Sequence, residues 1–238
     1  VRFVYNRMLS DRIEHYNLTG KSLNNTPAQY KSEFTWLKEV DSLALANAQM
    51  NLNTAYRNFF RDKSNGFPKF KSKKNNNFSY TTNNQKGTVY VENGYIKLPK
   101  LKSPVKIRQH RSFEGVIKSC TISKAPSGKY HISILVETEI QKLPASDMRV
   151  GIDVGIKDFA VLSNGEAYKN PKHLRKSEKR LAKLQRDLSR KQIGSSNRNK
   201  ARIKVAKLHE KIANQRMDFL HKKSTEISRE NQALVIED

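Results

Sequence analysis

Apolar positions along the chain pass through three successive regimes of spacing. Tyr5, Leu9, Ile13 and Tyr16 recur at helical intervals, and Leu45, Gln49, Leu52, Tyr56 and Phe59 keep a four-three spacing through a second, longer segment. That spacing holds side chains on one face of a helix, so it predicts two amphipathic helices. Between them, Thr26-Pro27-Ala28-Gln29 has the form of a helix start: a capping hydroxyl, a proline at the first helical position and a glutamine reaching back. A small helical bundle over residues 1–65 follows. The helical pattern stops at Asn65-Gly66-Phe67-Pro68.

From there to about residue 138 the period shortens to two. Thr88 to Val91 and Tyr95 to Leu98 flank Glu92-Asn93-Gly94, and Lys118 to Lys124 and Tyr130 to Glu137 flank Pro126-Ser127-Gly128. Both read as hairpins, the first with the Asn-Gly pair that suits a tight turn between twisted strands. Tyr130, Ile132, Ile134 and Val136 alternate with mostly polar neighbours, which predicts a half-buried strand. The expectation for residues 66–146 is a small antiparallel sheet or β-barrel.

After Pro144 the pattern changes again. Val150 to Val154 and Phe159 to Leu162 read as adjacent strands turned at Gly155, with a further turn at Asn164-Gly165. Leu174, Leu181, Leu184 and Leu188 mark one helix; Ala201, Val205, Leu208, Ile212 and Phe219 mark a longer one, joined to it through Gly194-Ser195-Ser196 as an antiparallel hairpin. The continuous apolar run Ala233 to Ile236 predicts a strand buried on both faces. Residues 147–238 thus read as an α/β module, and the whole chain as α+β multidomain.

Charge divides the chain differently. Lys and Arg number 46 against 22 Asp and Glu, a net +24, which makes a polyanion the expected partner. Two blocks carry it: +12 over residues 61–124 and +13 over 172–230, with −1 over the 125–171 stretch between them. In FPKFKSKKNNNFSY, Lys69, Lys71, Lys73 and Lys74 interleave with aromatics, the combination that grips nucleic acid by phosphate contact and base stacking. The alternative is an aromatic core with basic edges. In the helical hairpin, Arg175, Lys179, Arg186, Arg190, Arg198 and Lys204 are candidate phosphate contacts; a merely solvated face is the competing reading, but so much like charge on two helices repels itself. No run of about 18 apolar residues and no leader peptide is present, so neither a membrane partner nor export is expected, and the cytoplasm is the expected compartment. The single cysteine, Cys120, excludes an internal disulfide or multi-cysteine zinc site within these residues. His173, His209 and His221 lack ligand spacing.

The candidate chemistry lies in the nearly neutral stretch. In GIDVGIKDFAVLSNG, Asp153 stands between apolar residues of an expected strand, where an unpaired charge is costly. Glu237 ends the last apolar run. If the two strands are neighbours, their carboxylates converge, and a divalent cation is the usual means of keeping both ionised. Hard oxygen donors select Mg²⁺ or Mn²⁺, ions that serve phosphodiester cleavage. Two other readings stay open: Asp153 caps a turn while Glu237 begins a solvated loop, or Asp-x-Gly forms a phosphate loop of the actin-like ATPase kind. The latter normally continues with Thr or Ser, where Ile156 and Lys157 stand here.

Taken in order, RFVYNRML (2–9), NLNTAYRNFF (51–60), GFPKFKSKK (66–74), GIDVGIKDFAVLSNG (151–165), NQRMDFLHKKS (214–224) and ALVIED (233–238) resemble the TnpB (OrfB) family of transposon-encoded proteins, relatives of the type V CRISPR effector nucleases. The resemblance implies a helical recognition lobe at 1–65, a wedge or OB-like β-barrel at 66–146, and a RuvC nuclease module of RNase H-like fold at 147–238, incomplete and carrying the basic hairpin. It implies RNA-guided DNA cleavage, with a guide RNA from the transposon end and a DNA target as partners. It matches Asp153 to the first RuvC carboxylate and Glu237 to the second, both as catalytic metal ligands. The family's third acid and four-cysteine zinc ribbon do not occur in these residues, so a fragment truncated at both ends is expected, with zinc only in the C-terminal part beyond it. A nuclease-dead RNA-guided DNA-binding regulator is the alternative.

Overall fold

In the computed structural model, residues 1–74, 78–139 and 144–236 are described. They form two units: Val1–Ala125 with Lys129–Glu139, and Pro126–Gly128 with the described part of Ile140–Asp238.

The first unit opens with α1 (Arg2–Thr19), a single helical turn α2 (Tyr30–Glu33) and α3 (Ser42–Arg61). Val4, Met8 and Leu9 of α1 meet Leu45, Ala48 and Leu52 of α3, closed by Tyr30 and Leu37 from the connection. Gln29 Oε1 accepts from the Thr26 amide at 3.1 Å, but in a turn and not at the helix start expected at Thr26-Pro27: α2 begins at Tyr30 with Gln29 as its N-cap. The buried Asn25 fixes the loop between the helices: it donates to the Met8 carbonyl (3.3 Å) and the Tyr30 hydroxyl (2.8 Å), and accepts from Arg12 Nε (2.8 Å). Burial pushes the Tyr30 hydroxyl up and the Arg12 guanidinium down from their ordinary values. These shifts are the cost of a polar network inside a helical core, offset by its hydrogen bonds.

Beyond the bundle, β1 (Phe78–Asn83), β5 (Val116–Lys124) and β6 (Tyr130–Glu137) form one antiparallel sheet, in the order β1-β5-β6. The short strands β2 (Tyr90–Glu92), β3 (Tyr95–Lys97) and β4 (Val105–Lys106) form a second. Both expected hairpins are present. In the first, Asn93 and Gly94 have φ of 50° and 76°, the left-handed pair such a turn requires. The two sheets share a core of Val89, Ile96, Leu98 and Cys120, flanked by Ile117, Ile122, Ile132 and Ile134.

The expected barrel is corrected: among the described residues there are two open three-stranded sheets and no closed ladder. Closure needs hydrogen bonding to run around the whole circumference with a fixed stagger. Strands of two and three residues cannot carry it, and what links the two sheets is side-chain packing plus Asn84, whose amide donates to the Lys118 carbonyl at 2.7 Å while its Oδ1 accepts from the Val89 amide at 2.9 Å.

The second unit is built on a four-stranded sheet ordered β10-β7-β8-β9, with β7 (Arg149–Asp153), β8 (Asp158–Leu162), β9 (Ala167–Lys169) and β10 (Ala233–Ile236). The first three form an antiparallel meander, whereas β10 returns parallel to β7 after the hairpin of α4 (His173–Ser189) and α5 (Ser196–Glu230). Leu181 and Leu184 of α4 close on Val205, Leu208 and Ile212 of α5. Further along α5, Ile227 packs on Val150 and Leu162, and Phe219 meets Phe159 edge-on at 5.0 Å. The same helix therefore serves as hairpin arm at one end and as sheet cover at the other. One expectation is overturned: β10 is not buried on both faces. It is an edge strand with Val235 66% and Ile236 61% exposed, because β7 is its one strand neighbour and nothing else among the described residues covers it.

Candidate functional site

Asp153 is the last residue of β7 and is exposed, not buried in a strand core as its apolar neighbours suggested. The desolvation cost inferred from sequence therefore does not arise; the carboxylate projects where the strand leaves the sheet. Its position is fixed by local packing. Asp153 is registered with Val161 and Ile152 with Leu162. Gly151 and Ser163 lock the pair by two hydrogen bonds: the Ser163 amide donates to the Gly151 carbonyl at 2.9 Å and the Gly151 amide to Ser163 Oγ at 3.0 Å. The turn that follows is tight: a β-carbon at Gly155 would lie 3.1 Å from the Asp158 carbonyl oxygen.

On the other side of β7, the parallel strand β10 places Ile236 opposite Ile152. The residues next in sequence are Asp153 and Glu237, and Glu237 lies outside the described residues. The carboxyl ends of parallel strands are where open α/β sheets hold ligands. A divalent cation suits the donor chemistry, since carboxylate oxygen is what Mg²⁺ and Mn²⁺ select. Among the described residues the Asp153 carboxylate has no hydrogen-bond or ion-pair partner, and no three acidic, histidine or cysteine side chains gather.

The basic candidates fall into three kinds of place. Lys69, Lys73 and Lys74 are exposed on the extended segment that follows α3. Lys71 is the clip of that segment: its amide donates to Asn6 Oδ1 at 2.8 Å, its carbonyl accepts from Asn6 Nδ2 at 2.9 Å, and its ammonium lies 4.1 Å above the Tyr5 ring. Burial holds the Lys71 ammonium below its ordinary value. Arg175, Lys179 and Arg186 are exposed on α4 and Arg190 at its C-cap, within a stripe about 60° wide at 100° per residue. Lys204 is exposed on α5, but Arg198 is half-buried. Its Nη1 donates to the Leu188 and Lys191 carbonyls at 3.1 and 2.9 Å, so it caps the end of α4 and holds the hairpin turn.

The first unit also contains a cavity of about 770 Å³ between the start of α1, the 69–72 segment, and β1, β5 and β6. Arg2, Lys69, Lys71 and Lys124 line it together with Phe70, Phe78, Tyr80 and Tyr130. Sequence reasoning singled out Lys69 and Lys71 but not Arg2, Lys124 or Tyr130; the β5-β6 register sets Lys124 opposite Tyr130, and the start of α1 brings Arg2 to them.

Known proteins give the chain its context. Residues 131–238 match the family OrfB_IS605, described as "Probable transposase". Over its whole length the chain is 41% identical to a Streptomyces pristinaespiralis protein named "Putative RNA-guided DNA endonuclease" and 37% identical to the Escherichia coli (strain K12) "Putative RNA-guided DNA endonuclease InsQ". It covers 61% and 60% of those two proteins. A further match, 36% identical over 90 residues, is the Salmonella dublin "Virulence protein VsdF". Whole-chain identity at this level, with the ordered motifs from RFVYNRML to ALVIED, settles the ancestry: the chain belongs to the TnpB (OrfB_IS605) family of transposon-encoded proteins.

Proposed function

We propose that the chain is the nucleic-acid-gripping part, and the first part of the catalytic centre, of an RNA-guided, divalent-metal-dependent DNA endonuclease of a mobile element. The observation that supports this reading is the parallel register of Ile236 with Ile152, so that β7 and β10 run toward the same end of the sheet, with Asp153 the last residue of β7 and Glu237 next in sequence after β10. In this reading residues 147–238 are a RuvC-type module, residues 1–65 a recognition lobe and 66–146 a wedge domain. Asp153 and Glu237 would hold Mg²⁺ or Mn²⁺, and the bound ion supplies an activated water and stabilisation of the leaving oxygen.

The protein's own residues have simpler tasks. The Gly151 and Ser163 lock sets the direction of Asp153, and the Gly155 turn keeps the backbone after it out of the way. The exposed stripe of α4 with Lys204 contacts phosphates, while Arg198 keeps the two helices antiparallel so that the stripe stays in place. Guide pairing reads the target, so the protein needs backbone and shape contacts rather than a base-reading motif. The test is cleavage of a matched DNA by the full-length protein with guide RNA, with scrambled RNA, and with EDTA. Cutting is expected with the matched guide and free metal alone; guide-independent or EDTA-resistant cutting contradicts the proposal.

A further inference from the structure

The cavity at the start of α1 combines three features that the carboxylate edge does not use. We propose that it holds a short run of unpaired nucleotides, with bases laid against Phe70, Phe78 and Tyr130 and phosphates held by Arg2, Lys69 and Lys124. This rests on the nucleic-acid reading above and assigns a particular site and strand state within it.

Charge is the first feature. Four cationic side chains line the cavity and no carboxylate does, so its concave wall concentrates positive potential and selects an anion. The second is aromatic exposure. Phe70 is 56% exposed, Phe78 41% and Tyr130 68%, and three rings left wet around one concavity are not the scattered apolar residues of an ordinary surface. The third is pairing of the two: the Arg2 guanidinium carbon lies 6.0 Å from the Phe78 ring centre, and Lys124 Nζ lies 5.5 Å from that of Tyr130. Each pair offers a flat apolar face and a cation within the span of one nucleotide.

These features discriminate among anions. A free phosphate or an acidic peptide would satisfy the cations and leave the rings wet. A duplex would satisfy the cations too, but its base faces are already stacked on one another and out of reach of side chains. Unpaired nucleotides satisfy both, because every base has a face to stack. The frame is rigid enough to present them: Asn6 clamps the Lys71 backbone, and Arg2 Nη1 donates to the Ser72 carbonyl at 3.2 Å. The volume lies within the range of about 300–1,000 Å³ common for ligand sites. A guide RNA and a displaced DNA strand present this same chemistry, and the experiment separates them.

The experiment is a salt-titrated binding series with an unstructured RNA oligonucleotide, the DNA of the same sequence, and the duplex of each. It uses the unaltered chain, Phe70→Leu with Tyr130→Leu, and Lys69→Ala with Lys124→Ala. Leucine keeps apolar bulk and removes the stacking face, so the fold is retained; Trp36 emission checks it. The ring variant is expected to bind single strands about tenfold or more weakly, with duplex affinity and salt slope unchanged. The lysine variant is expected to lower the single-strand salt slope by about 1.4. Tighter RNA binding assigns the site to the guide, tighter DNA binding to a displaced strand, and either supports the proposal. Unchanged single-strand affinity in the ring variant, or equal loss on duplex and single strand, overturns it. Guided cleavage by the full-length protein is scored separately, so a failed groove leaves the nuclease reading intact and a failed nuclease leaves the groove.

Discussion

Asp41 is the joint between the helical bundle and the β1-β5-β6 sheet, and substituting it tests whether these form one cooperative unit. Its carboxylate caps α3, accepting from the Leu43 and Ala44 amides at 3.2 Å each, and it also accepts a short hydrogen bond from the Thr82 hydroxyl of β1. Thr82 is fully buried. Asp41→Ala therefore removes a cap, worth about 1 kcal/mol, and leaves a buried hydroxyl without that partner, at about 1–3 kcal/mol. The expected loss is about 2–4 kcal/mol. Thr82→Val alone should cost less, because it removes the buried hydroxyl together with its need. The double variant should then fall short of the sum by about 1–2 kcal/mol, the signature of direct coupling. Urea unfolding followed by the single tryptophan, Trp36, reports on this unit, and a loss of 2–4 kcal/mol moves the midpoint down by roughly 1 M or more. Additive single effects, or two separated transitions with only the sheet affected, would refute the joint.

Three further outcomes follow from packing. Gly115→Ala should destabilise the β5-β6 pair by more than about 1–3 kcal/mol, since φ is +116° and the new β-carbon would lie 2.1 Å from the Glu137 carbonyl oxygen; thermal unfolding measures it. Cys120 is fully buried, with burial pushing its thiol up to about 11, so a thiol reagent at pH 8 should react only as the first unit unfolds. Leu208→Ala should cost about 2–5 kcal/mol and part the α4-α5 hairpin, seen as faster amide exchange in α4, with Trp36 emission unchanged.

Sequence periodicity revealed what rests on local pattern. The helical stripes of α1 and α3, the Asn93-Gly94 and Pro126-Gly128 hairpins and the Leu181 to Ile212 zipper each carry their own signal, and all are present. What failed needed partners distant in sequence. β1 was not singled out because its innermost residue is Thr82, a hydroxyl whose burial makes sense only beside Asp41. The run Ala233 to Ile236 showed hydrophobicity but not that, among the described residues, it pairs with β7 alone. Asp153 was identified correctly as a strand residue, yet its exposure depends on where β7 ends and not on the apolar residues beside it. Arg198 looked like one more cation of a basic block; its role in closing the hairpin comes from carbonyls seven and ten residues away. About half of the groove was legible in FPKFKSKKNNNFSY, which supplies Lys69, Phe70, Lys71 and Phe78; Arg2, Lys124 and Tyr130 carried no such signal, since α1 and the β5-β6 hairpin bring them there.

The most direct test of the central claim is the rate of guide-directed DNA cleavage by the full-length protein carrying Asp153→Ala, measured beside its affinity for guide RNA and target. Asp153 lies exposed at the end of β7, so binding should be unchanged and cutting abolished. Cleavage at the unaltered rate would contradict the account and remove the carboxyl end of β7 from the chemistry.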